Sequence, residues 1–137
     1  MIMWTCPNCG RIFQKANQPH SCIRVPLETH FKNKDKAQVL FNHLVEKINA
    51  KIGPCQVISI PCCIHIYGNY DFLAALPKKD RLEIRFAFNR TIEKQRIKQY
   101  VAMSARVFKI CLDLAEVEEI DEECIGWLSE AYHLKDK

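Results

Sequence analysis

Leu82-Glu83-Ile84-Arg85-Phe86-Ala87-Phe88-Asn89 decides the fold class. Large apolar side chains fall on every second residue, with Glu83, Arg85, Ala87 and Asn89 between them. That is the period of a strand with one face buried and the other towards water. Downstream, Phe108, Ile110, Leu112 and Leu114 alternate with Lys109, Cys111 and Asp113 in the same way. Upstream, Tyr70 to Leu76 reads as a strand joined to Leu82–Phe88 by the tight turn Pro77-Lys78-Lys79-Asp80-Arg81. Val57 to Ile60 and Ile64 to Tyr67 read as a strand interrupted or bent at Pro61, which has no N–H to give a ladder. Gly68-Asn69 turns the chain into the next strand. Thr91 to Arg106 is basic and poorly periodic, and reads as a long loop with at most one helical turn.

Outside this region the period changes to 3.6. Ala37, Leu40, Phe41, Leu44, Val45, Ile48 and Ile52 form the stripe of an amphipathic helix, with Asn33 as its N-cap and Gly53-Pro54 as its stop. A second helix opens at Asp121, where Glu122 and Glu123 suit the positive end of the dipole. Ile120 and Ile125 occupy the places of a hydrophobic staple, and Ile125, Leu128, Ala131 and Tyr132 give the buried face. Helix, about four antiparallel strands, helix: the expected class is α+β, with two helices on one sheet face in a two-layer sandwich.

The chain has 137 residues, 48% of them hydrophobic and 26% charged, which fits one domain with a small appendage. Wholesale disorder, a collagen repeat and a coiled-coil rod are excluded by that balance. No run approaches the ~20 apolar residues of a membrane span. Four glycines, none in a phosphate-binding loop, argue against the familiar nucleotide-binding folds. The N-terminus lacks the basic region, apolar run and cleavage site of a secretory signal, so the eight cysteines are expected to be thiols and metal ligands in a cytoplasmic protein.

Residues 1–24 read as a separate module, with 25–137 as the α+β domain and Val25-Pro26 as the junction. Cys6-Pro7-Asn8-Cys9-Gly10 has the form of a zinc knuckle: two thiolates two residues apart chelate one ion, and Gly10 lets the chain turn under the sulfurs. His20-Ser21-Cys22 adds an imidazole and a thiolate on one side of an extended segment. Cys6, Cys9, His20 and Cys22 make a full tetrahedral Zn2+ set, so the expected zinc is structural, with no position open to water or substrate. Cys55, Cys62, Cys63 and His65 admit a second metal site or a Cys/His nucleophilic pair. The competing reading makes the cysteines small apolar packing residues and His65 a satisfied strand histidine. A nucleophilic pair also needs an orienting group and an oxyanion hole, which the sequence does not identify. Asp71, Asp80 and Glu83 can be grouped as acids, but carboxylates beside a hairpin are usually solvated.

Charge is uneven. Between residues 78 and 109 ten basic side chains face three acidic ones, while Glu116, Glu118, Glu119, Asp121, Glu122 and Glu123 form an acidic block. One reading places Lys78, Lys79, Arg81 and Arg85 on nucleic-acid phosphates. A second lets the two halves neutralise each other in the fold. A third docks the acidic block, residues 116–123, on a basic protein partner.

Cys6-Pro7-Asn8-Cys9-Gly10-Arg11 with Asn17-Gln18-Pro19-His20-Ser21-Cys22 resembles a zinc-ribbon-like leader found ahead of a domain of unknown function, family 5655. Tyr70-Asp71-Phe72-Leu73-Ala74, the run from Leu76 to Phe86 and the closing helix with Trp127 resemble that domain itself. The likeness spans roughly residues 4 to 134. It implies a fold and a bacterial or archaeal setting but no activity. Some members resemble fusions to nuclease-like domains, which implies nucleic-acid partners by association. The fold is also similar to a group described as frataxin-like iron chaperones, which implies metal handling; the acidic first helix of that group has no counterpart here. The combined expectation is a zinc-binding, non-catalytic adaptor that contacts nucleic acid, with a protein-interaction module as the alternative.

Overall fold

The computed structural model describes residues 4–13, 15–18, 22–92, 94–104 and 106–134. Numbered in chain order, the strands are β1 (Trp4–Thr5), β2 (Ile12–Phe13), β3 (Gln56–Ile60), β4 (Cys63–Tyr67), β5 (Asp71–Pro77), β6 (Leu82–Phe88), β7 (Ile97–Ala102) and β8 (Phe108–Leu114). The helices are α1 (Asp35–Lys51) and α2 (Glu122–His133), and a 3-10 turn over Leu27–Phe31 leads into α1. β1 and β2 pair as a small hairpin, and the other strands form one antiparallel sheet in the order β3-β4-β5-β6-β8-β7.

The α+β class holds, but the sheet has six strands where the sequence reading expects about four. Pro61 interrupts the strand rather than bending it. Ile60 pairs with Cys63, so Pro61 and Cys62 form a two-residue turn between β3 and β4. The other addition is β7, inside the stretch read as a loop. It pairs only with β8, and most of its residues are exposed. Ile97 alone of this edge strand packs on the core, so the strand has little reason to alternate, and its Lys98 is the kind of charge that discourages further pairing at an edge.

Both helices pack on one sheet face. Ile64, Ile66, Leu73, Ala75, Leu82, Ile84, Phe86, Phe88, Ile110, Leu112 and Leu114 are all buried there. From α1 come Ala37, Leu40, Phe41, Leu44 and Ile48; from α2 come Cys124, Ile125, Trp127, Leu128, Ala131 and Tyr132. A fully buried side chain of this size contributes roughly 1.5–3 kcal/mol, which is why this layer dominates the fold. Asp121 caps α2 as expected, accepting from Cys124 N at 2.9 Å. Asn33 does not cap α1. Lys34 occupies that place, and Asn33 takes a left-handed conformation (φ 59°) in the turn after the 3-10 segment. Gly53 serves a different purpose from a left-handed cap. A Cβ there would lie 2.9 Å from the Tyr132 hydroxyl, and one on Gly68 would lie 2.5 Å from the Tyr132 ring. The two glycines admit that ring, which stacks edge-on against Phe72 and donates to the Pro54 carbonyl at 2.8 Å.

The opposite sheet face is more polar. It carries Cys63, His65 and Tyr67 from β4, Glu83 and Arg85 from β6, and Cys111 and Asp113 from β8. It does not simply meet water: Glu83 is 4% exposed, with Lys98 at 2.9 Å and Arg85 at 2.7 Å. Lys98 also approaches Asp113 at 3.6 Å, so these ion pairs tie the edge strand β7 across β8 to β6. Among the described residues no helix is long and apolar enough to cross a membrane.

Candidate metal centre

Cys6 and Cys9 lie in the turn joining β1 to β2. Cys6 N donates to the Arg11 carbonyl and Gly10 N to the Cys6 carbonyl, both at 2.9 Å. Gly10 has φ 77°, which L side chains rarely adopt, so the glycine after the second cysteine is a backbone requirement. Both thiols are buried. Cys22 brings its Sγ to 3.6 Å from that of Cys6, and the three sulfurs lie within 4.8 Å of one another. The Cys6 thiol is lowered to about 6, first by the backbone N–H of Cys9, which outweighs burial. The Cys22 thiol is pushed up to about 11, first by its hydrogen bond with Cys6. Amide dipoles thus already favour a thiolate where a cation would sit, and this donor set can hold a soft or borderline metal ion. His20, the expected fourth ligand, lies outside the described residues.

The hairpin is seated on the sheet. Arg11 Nε donates to the Tyr67 hydroxyl at 3.3 Å, and Val25 N donates to the Ser59 carbonyl at 3.2 Å, beside β3. Arg11 also crosses the face of Phe13, 5.0 Å from its centroid.

A second group forms on the open face of β4. Cys63 and His65 are two residues apart on one strand, so they share a side, and Cys62 reaches them from the preceding turn. Cys62 Sγ is 3.1 Å from Cys63 Sγ, which is 3.2 Å from His65 Nε2. The Cys63 thiol is pushed up to about 12, first by burial and then by Cys62. Asp71 Oδ2 lies 2.7 Å from His65 Nδ1, an electrostatic contact without the alignment of a full hydrogen bond. A register shift between β4 and β5 puts Asp71 there: Ile66 pairs with Leu73 but Tyr67 pairs with Asp71. Phe72 is thereby freed to enter the core. Sequence reading grouped Asp71 with Asp80 and Glu83. The structure separates them, since Asp80 pairs with Arg81 and Glu83 with Arg85 and Lys98. No local signal announces the shift.

The other candidates disperse. Cys55 stays apart, bonded through N and Sγ to Asn49 Oδ1 at the end of α1. Cys111 and Cys124 are buried; burial raises both thiols, that of Cys124 to about 12. The charged segments largely meet each other. Arg96 reaches Asp121 and Glu123 at 3.0 Å, Lys94 reaches Glu123, and Lys36 reaches Glu116. Glu119 accepts from the Ala115 and Glu116 amides. Of the four cations assigned to phosphate contact, Arg81 pairs with Asp80 and Asp113, and Arg85 with Glu83. Lys78 and Lys79, at the β5–β6 turn, pair with no carboxylate among the described residues.

A family model described as a domain of unknown function (DUF5655) matches residues 27–135. No curated protein and no solved structure matches the chain.

Proposed function

The chain belongs to the DUF5655 family, and from that premise we propose that it is a zinc-binding adaptor rather than an enzyme. The observation that carries this reading is the convergence of Cys6, Cys9 and Cys22 within 4.8 Å on a turn whose amides favour thiolate. With His20 as the fourth ligand the ion is coordinatively closed. It supplies folding energy to a segment with little core, and no Lewis-acid position remains. Free thiols in such a set suit a reducing, cytoplasmic setting.

The partner is a nucleic acid, met through the phosphate backbone at Lys78 and Lys79. Arg81 and Arg85 add to the local field but are held by carboxylates. Docking of the acidic block on a basic protein is the weaker reading, because Glu116, Glu119, Asp121 and Glu123 are already engaged within the chain.

Two measurements test this. Metal analysis of chain purified without chelator is expected to find zinc that Cys9→Ser releases; a chain with no bound metal would overturn the zinc assignment. Fluorescence anisotropy with labelled DNA and RNA over a salt series is expected to show binding that weakens steeply with salt. Substituting Lys78 and Lys79 together should reduce the log–log slope by about 2. Absence of binding at low salt would retire the nucleic-acid partner and leave the zinc assignment standing.

A further inference from the structure

The Cys62, Cys63 and His65 group belongs neither to the N-terminal cluster nor to the core. Packing does not account for the whole group: Cys63 rests against the small cluster of Ile58, Ile60 and Tyr67, but Cys62 is exposed, and all three residues line a cavity of about 490 Å3 on the open sheet face. We propose that this is a second metal site, for a thiophilic divalent ion such as zinc. Cys62 Sγ, Cys63 Sγ and His65 Nε2 hold the ion, and the fourth position opens on the cavity.

Three independent features converge. The donor atoms lie within 4.8 Å of one another, close enough to share one ion after small side-chain rotations. Two sulfurs and an imidazole nitrogen are a donor set suited to zinc. Behind the histidine, Asp71 stands 2.7 Å from Nδ1. A carboxylate there favours the proton on Nδ1, which leaves the Nε2 lone pair facing the Cys63 sulfur; carboxylate behind histidine behind metal is a recurring arrangement. The shift that places Asp71 and the two-residue turn that places Cys62 are separate irregularities of the sheet, and both serve the same point. Ala74, paired with His65, leaves room beside the imidazole.

The three-ligand set distinguishes this site from the four-ligand set assigned to the N-terminal module. Sites with three protein ligands keep a position for water or an exchangeable group. Lys109 and Arg85, the latter held by Glu83, line the same cavity with Asp71, so the exchangeable ligand there is water or a small anion. Binding is not a redox step. As the two metal–sulfur bonds form, each thiol passes its proton to solvent, and the ion exchanges water for the sulfurs and the imidazole.

The test uses the full chain, stripped of metal and titrated with Co2+ under reducing conditions. A Cys6→Ser, Cys9→Ser double variant, which lacks the N-terminal site, should still take up one equivalent with thiolate-to-cobalt charge-transfer absorption. Adding Cys63→Ser or His65→Gln should abolish that absorption. Asp71→Asn should weaken binding about 10–100-fold. Added phosphate should perturb the cobalt d–d bands of the double variant, reporting the open position. No cobalt absorption in the double variant, or absorption unmoved by Cys63→Ser, would overturn the site. So would a Cys62–Cys63 disulfide that persists under those reducing conditions. Conversely, a wild-type chain that binds one equivalent sensitive to Cys63→Ser but not to Cys9→Ser would overturn the N-terminal zinc assignment and uphold this one.

Discussion

The two cysteine groups have similar donors and opposite supports. Cys6 and Cys9 sit on a two-strand hairpin whose described apolar packing is little more than Trp4 against Phe13, ring centroids 6.1 Å apart. Cys63 and His65 sit on a six-stranded sheet backed by two helices. Metal at the first site would therefore substitute for a hydrophobic core, whereas metal at the second would add to a structure already folded. The difference teaches that a ligand set does not by itself say whether an ion is needed for folding; the surrounding burial does.

Metal removal should separate the two regions most sharply. Structural zinc contributes on the order of 10 kcal/mol to small modules at neutral pH. Chelation or Cys9→Ser should unfold the N-terminal hairpin while the sheet and helices keep their unfolding midpoint. Hydrogen exchange resolved by segment would show this, and equal loss of protection in β5 and β6 would refute the division. The domain has its own weak point at Gly68. A Cβ there meets the Tyr132 ring, so Gly68→Ala should cost about 2–3 kcal/mol in chemical denaturation and leave the metal content of the N-terminal cluster unchanged.

A smaller effect separates the regions by pH. Burial alone would raise the Glu83 carboxyl, but hydrogen bonds from Lys98 and Arg85 outweigh it and hold it below its ordinary value of 4.5. A carboxylate lowered in the folded state gives stability that is complete above its unfolded value and lost as pH falls through the folded one. Domain stability should thus decline in acid, with Asp121 contributing in the same direction. Glu83→Gln should cost about 1–2 kcal/mol at pH 7 and flatten that decline. A variant with an unchanged acid profile would show that the Glu83 ion pairs contribute nothing. Smallest of all, Arg11→Ala removes the hydrogen bond to Tyr67 and should cost about 1 kcal/mol. Its signature is faster exchange in β1 and β2 with the domain midpoint unmoved.

Sequence legibility followed the distance over which each feature is encoded. The Cys6-Pro7-Asn8-Cys9-Gly10 turn is local, and its glycine and paired thiols point to a metal site without any fold. The alternation in β6 and β8 and the 3.6 period of α1 mark burial one face at a time, so those elements and the shared helix-bearing face could be read directly. β7 could not, because its pairing is made by β8 and, of its side chains, Ile97 alone packs on the core. The charge bias of residues 78–109 was visible, and mutual neutralisation was one reading of it; the particular pairs were not, since Arg96 meets Asp121 and Glu123 only after the chain has crossed β8.

The sequence alone determined the α+β class, most strand and helix faces and the grouping of Cys6 and Cys9, because periodicity and short spacing act within a few residues. Tertiary structure alone decided that Asp71 joins Cys62, Cys63 and His65 while Cys55 stays apart. Their meeting depends on a turn at Pro61 and a one-residue shift opposite Tyr67, and a strand's register is fixed by its neighbours and its buried face rather than by its own residues.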